Sequence, residues 1–92
     1  MTTVNLRHPV ARGETRLTEI ALRRPRTGEL RGLKLAEVMV MEVSAMIALI
    51  PRISDLTGPE VAALDPRDFT RLCVAVLGFF GDAEMMDDLT PG

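Results

Sequence analysis

Between Leu35 and Ile50, thirteen of sixteen residues are apolar, with only Glu37, Glu42 and Ser44 interrupting. A helix here carries apolar side chains on nearly every face, so it is either enclosed by its own domain or covers something else. It is too short and too often broken by Glu to span a bilayer, which takes roughly 20 apolar residues. Pro51 kinks or ends it. Enclosure is hard to achieve in a chain of 92 residues, because a domain of this size buries only about 60 to 65% of the surface its unfolded form exposes. One thin-cored domain follows, with self-association as a source of further stability and no enclosed active-site cavity.

The residues before this stretch read as a β-hairpin. Val4, Leu6 and, past Pro9, Val10 alternate with polar neighbours, and Ala11-Arg12-Gly13-Glu14 supplies a turn. Thr18, Ile20 and Leu22 then share one face of a second strand, which Pro25 closes. Pro9 cannot donate to a central ladder, so it belongs at the end or on the free edge of the first strand. Leu30 and Leu33 suggest a short helical turn that Gly32 breaks. Thr57-Gly58-Pro59-Glu60 is a capping box that opens a short helix. Asp65-Pro66 opens the last one, with Asp68 placed where the helix dipole favours negative charge. Phe69, Leu72, Cys73, Val76 and Phe79 or Phe80 recur at helical spacing, Val74 and Leu77 extend the apolar surface to the other side, and Gly81 ends the helix.

The expected fold is α+β: a hairpin over 4–25 and a helical region of three or four helices over 28–80, forming a single domain over 1–81. Residues 82–92 make an acidic tail, expected to be mobile. The lone ribbon needs its apolar face covered by helices or by a second copy of itself.

Chemistry-bearing residues are sparse. One cysteine, Cys73, and one histidine, His8, exclude an intramolecular disulfide and a zinc cluster, and a reducing, intracellular setting fits. His8 has no carboxylate near it in sequence, and Cys73 sits among Leu72, Val74 and Val76, a setting that raises a thiol pKa. No phosphate-loop pattern is present, and neither a signal peptide nor a membrane span is legible. Residues 1–34 carry eight Lys and Arg against three Glu, a net of +5, whereas residues 35–92 carry three Arg against ten acids, a net of −7. Such a dipole steers partners or favours head-to-tail self-contact. Arg23-Arg24-Pro25-Arg26 is the one cluster suited to phosphates, but no aromatic accompanies it and the whole chain has a net charge of −2.

The order of these signals carries a family resemblance. Ile20-Ala21-Leu22-Arg23-Arg24-Pro25 followed by Thr27-Gly28-Glu29-Leu30-Arg31-Gly32 resembles the opening of the small tail assembly chaperones of Mu-like contractile-tailed phages and prophages. Ile53-Ser54-Asp55-Leu56-Thr57 with Val61, then Leu64-Asp65-Pro66-Arg67-Asp68-Phe69, and Val76-Leu77-Gly78-Phe79-Phe80 resemble its close. Pro51 departs from the family's apolar helix. The resemblance implies a non-enzymatic protein of the bacterial host cytoplasm that binds the tape measure protein and keeps it soluble until tail tube subunits polymerise around it. It implies no cofactor, metal or small-molecule substrate.

On that reading the Leu35–Ile50 and Phe69–Phe80 helices build an apolar groove, with Met39, Val43, Met46, Ile47, Ile50, Val76, Phe79 and Phe80 as candidate contacts and Arg23, Arg24 and Arg26 as a polar rim. Methionine suits such a groove because it adapts to irregular partners. The chain is expected to form a homo-oligomer. Two other functions compete: a small nucleic-acid-binding regulator that uses the basic first third, and a structural tail component.

Overall fold

The structure, a computed structural model, describes residues 1–81; the expected acidic tail, 82–92, lies outside the described residues. An antiparallel hairpin of β1 (Thr2–Arg12) and β2 (Thr15–Leu22) precedes four helices: α1 (Leu35–Met39), α2 (Val43–Leu49), α3 (Gly58–Ala62) and α4 (Pro66–Leu77). Single 3-10 turns at Thr27–Leu30 and Ile50–Ile53 link them. The fold is α+β, as the residue pattern indicates.

Gly13, at φ +59°, opens the two-residue loop between Arg12 and its partner Thr15, where a tight hairpin demands positive φ. The ladder is not regular. Val10 pairs with Leu17 and Asn5 with Glu19, so Leu6, Arg7, His8 and Pro9 together face the single residue Thr18. Pro9 therefore lies inside this wide bulge and not at a strand end, and β1 runs on to Arg12. A bulge of this kind switches the side-chain alternation of the opposite strand. Ile20 and Leu22 are buried, but Leu17 turns inward in place of Thr18, which is exposed.

The largest departure lies in the apolar stretch, which is two helices and not one. Val40 caps α1, and Met41 follows with φ +57°. The Met41 N–H donates to Val38 O at 3.0 Å and the Glu42 N–H to Glu37 O at 2.9 Å. Those two bonds form a Schellman turn, which ordinarily has Gly at the position Met41 occupies. Glu42 then caps α2, accepting from Ala45 N–H at 2.9 Å. Pro51 stands in the 3-10 turn that ends α2.

The two local helix starts form as the sequence reads. Thr57 Oγ1 accepts from Glu60 N–H at 3.3 Å while Glu60 Oε1 accepts from Thr57 N–H at 2.9 Å. Asp65 caps α4 through Arg67 N–H at 2.9 Å. The last helix stops early, however: Gly78, not Gly81, caps it, and turn bonds from Phe79 and Phe80 follow. Its second apolar side is only partly used, since Leu77 is half-buried but Val74 is 56% exposed.

The core lies between the hairpin's inner face and the helices. Val4, Leu6, Ile20 and Leu22 meet Met46, Leu49, Ile50 and Ile53 from the centre and Leu72, Cys73 and Val76 from α4. At roughly 1.5 to 3 kcal/mol for each large side chain removed from water, these contacts supply the main stabilising term.

Three polar ties fix the hairpin on this core. Asp68, fully buried, accepts Arg7 N–H at 3.0 Å and His8 N–H at 2.9 Å, satisfying the donors that the bulge leaves without a strand partner. At the hairpin tip, Arg12 grips Glu60 through Nε at 2.9 Å and Nη2 at 2.6 Å. At the hairpin's other end, Arg23 grips Glu29, and Arg52 donates to Glu29 O at 2.6 Å and Arg31 O at 2.9 Å.

Candidate functional site

The break at Met41 creates the most distinctive surface. Ending α1 after Met39 and restarting at Val43 turns part of the apolar stretch outward. Leu35 is 55% exposed, Met39 45%, Val40 73%, Met41 37% and Val43 55%. Five large apolar side chains within nine residues make a patch, whereas singly exposed ones are ordinary. Val43 also lines a cleft of about 160 Å³ where α2 meets α3 and α4, with Ile47, Val61, Leu64 and Phe69. The patch thus runs into a shallow apolar groove.

The candidate contacts divide into three groups. Met39 and Val43 lie in the patch, and Ile47 is half-buried in the cleft. Phe79 and Phe80 are half-buried against the core. Met46, Ile50 and Val76 are fully buried and pack the core itself. The patch residues Leu35, Val40 and Met41 were not among the candidates. Their signal was the density of apolar residues, but only the Met41 turn brings them to the surface.

The arginine rim is not one free cluster. Arg23 is engaged by Glu29 and donates to Arg52 O at 2.7 Å. Its hydrogen bond, followed by the Arg26 backbone N–H, pulls the Glu29 carboxyl down to about 2. Arg24 and Arg26 stay exposed. A phosphate backbone therefore meets two available guanidiniums here and not three.

Little is arranged for chemistry. Burial pushes the Cys73 thiol up to about 11, which leaves it protonated at neutral pH. His8 Nε2 does find a carboxylate through the fold, Asp65 at 3.7 Å, but on the surface. Among the described residues no three His, Cys, Asp or Glu side chains are grouped to hold a metal ion, and no helix is long and apolar enough to cross a membrane.

An open apolar patch is the outstanding surface of this small α+β domain, and patches of this kind mark interaction sites. The comparisons are more specific. The family model described as "Phage tail assembly chaperone proteins, E, or 41 or 14" matches residues 3–81. The chain is 42% identical over 78 residues to tail assembly protein E of Escherichia phage P2, covering 83% of this chain and 86% of that protein. It is also 42% identical over 78 residues to tail assembly protein E' of the same phage, of which it spans 55%. No solved structure matches it. The chain belongs to the phage tail assembly chaperone family, whose role is assembly and not catalysis.

Proposed function

We propose that this chain binds the tape measure protein in the host cytoplasm and keeps it soluble during tail assembly, through the patch formed by Leu35, Met39, Val40, Met41 and Val43. The observation that carries this reading is the patch itself, in a member of a tail assembly chaperone family. A long helical protein awaiting its tube exposes apolar stripes, and an apolar groove accepts such a stripe. The reading needs no cofactor, substrate, catalytic step or nucleic acid.

Magnitudes favour many weak sites over one strong one. Covering the exposed half of five such side chains yields about 5 kcal/mol. Association alone costs at least about 4 kcal/mol. A single copy therefore binds weakly, and several copies along one tape measure hold it collectively while each remains easy to displace.

The test is co-expression with the tape measure protein of the same phage or prophage, followed by size-exclusion chromatography with light scattering. A soluble complex with several copies of this chain per tape measure is expected. The double variant Met39→Asp/Val43→Asp, both positions being exposed, keeps its fold and leaves the tape measure insoluble. Full co-solubilisation by that folded variant would exclude the patch.

A further inference from the structure

Three shallow depressions lie along α4, joined by the residues they share. The apolar cleft that Val43 enters has Phe69 and Pro66 in its wall. Pro66 also lines the next depression, of about 500 Å³, with Arg7, Arg67 and Arg71. Thr70 and Arg71 belong in turn to a third, of about 350 Å³, which Val74 and Val4 line. Together they make one track that leads from the exposed patch across the start of α4 to Val74, and its character runs apolar, basic, apolar. Val74 stands at its far end, 56% exposed on a helix whose other large apolar side chains are buried or half-buried.

The middle of the track has an excess of guanidinium. Arg7 and Arg67 are exposed and have no carboxylate partner among the described residues. Arg71 donates to Asn5 O and stands 3.7 Å from Asp68. Both Asp68 oxygens already accept backbone N–H groups, from Arg7 and His8. Asp65 is engaged as the α4 cap and stands 3.7 Å from His8 Nε2. Two guanidiniums are therefore left for a partner, between two apolar walls.

We propose that the tape measure segment held by the patch is an amphipathic helix with Asp or Glu residues set between two apolar groups. Its first apolar group enters the cleft beside Val43 and Phe69, its carboxylates meet Arg7 and Arg67, and its second apolar group covers Val74. Pro66 and Val74 are eight residues apart on α4, so the two apolar contacts lie about 12 Å from each other, which a partner helix spans in roughly two turns. The apolar surface accepts any apolar stripe, whereas the guanidiniums, with forks that match carboxylates, select among stripes and fix their register. A nucleic-acid strand suits the track less well, because its closely spaced phosphates would lie against the apolar walls on both sides of the arginines. The inference rests on the tape measure reading and adds the class of segment that is recognised.

Titration of the isotope-labelled whole chain, followed by NMR, tests this with two synthetic helical peptides of about 20 residues. Both carry two groups of Leu; between the groups one peptide has Glu and the other Lys. At about 20 mM salt the Glu peptide is expected to bind about tenfold more tightly, and at about 500 mM the two affinities converge. Arg67→Glu inverts the preference, Arg7→Glu is the second variant, and thermal melts show that each is folded. Met39→Asp/Val43→Asp weakens both peptides alike and leaves their ratio unchanged. Equal affinity of the two peptides in low salt, no binding of either up to about 1 mM, an unchanged preference in the arginine variants, or a single-stranded DNA that binds the same residues more tightly than the Glu peptide would each overturn the proposal. Co-solubilisation of the tape measure by the patch variant judges the patch separately, so the two failures are distinguishable.

Discussion

The Asp68 side chain, three residues into α4, accepts the backbone N–H of His8 at 2.9 Å from sixty residues away. Together with the Arg7 bond it converts the weak point of the ribbon, a bulge with unpaired donors, into its main attachment. Burial by itself would push this carboxyl up; the Arg7 and His8 backbone donors, with the charges of His8 and Arg71, outweigh it and hold it below its ordinary value.

Replacing Asp68 by Asn puts an amide donor against one of two backbone donors. The loss is expected to be about 2 to 3 kcal/mol. In urea the unfolding midpoint falls by roughly 1 to 2 M, while Asp65→Asn, at a half-buried position that keeps an acceptor at the cap, changes it far less.

Acid should loosen the hairpin. Glu29 and Glu60 are both held at about 2, Glu60 by the Arg12 hydrogen bond first and the Thr57 backbone N–H second. A carboxyl whose folded pKa is depressed adds stability above its unfolded pKa, and loses it as pH falls toward the folded value. Melting temperature is therefore flat near neutrality and declines from about pH 4.5 toward pH 2. Added salt weakens the two exposed Arg–Glu pairs and steepens nothing at Asp68.

Met41→Gly is expected to raise stability by about 1 kcal/mol, since glycine adopts the left-handed turn without the Cβ penalty. Met41→Ala removes the same side chain and keeps the penalty. Thermal melts of the two variants separate backbone strain from lost packing: a gain in Gly without a gain in Ala is the expected pair of results.

Cys73 reports opening of the core. Buried and raised to about 11, it should react with an aromatic disulfide reagent only through transiently unfolded molecules. Its labelling rate is expected to follow global stability, rising in Asp68→Asn and falling in Met41→Gly. Met46→Ala, which cuts into the same core for about 2 to 4 kcal/mol, raises it as well.

What could be read in the residues was local. The caps at Thr57 with Glu60 and at Asp65 are made by side chains two or three positions from the groups they satisfy, so their spacing is enough to identify them. The hairpin and its turn were legible for the same reason. The Met41 break was hidden because its turn carries Met where the pattern calls for Gly. Thr18 was misplaced because its exposure depends on a bulge in the other strand. Asp68 reads from sequence as a charge favoured by the helix start; its buried role rests on Arg7 and His8, which no spacing along the chain connects to it. Likewise, the separation of Met39 and Val43 at the surface from Met46 and Ile50 in the core follows from that one turn.

The Asp68 tie also orders events in time. The hairpin leaves the ribosome first, yet the acceptor for its bulge is made only when residue 68 is added, and the α4 side chains that cover its apolar face come later still. A two-stranded ribbon without such cover is marginal in water. The nascent N-terminus therefore stays unformed until nearly the whole described domain has emerged, and the chain reaches its working shape in one late, cooperative step instead of growing outward from its first strand.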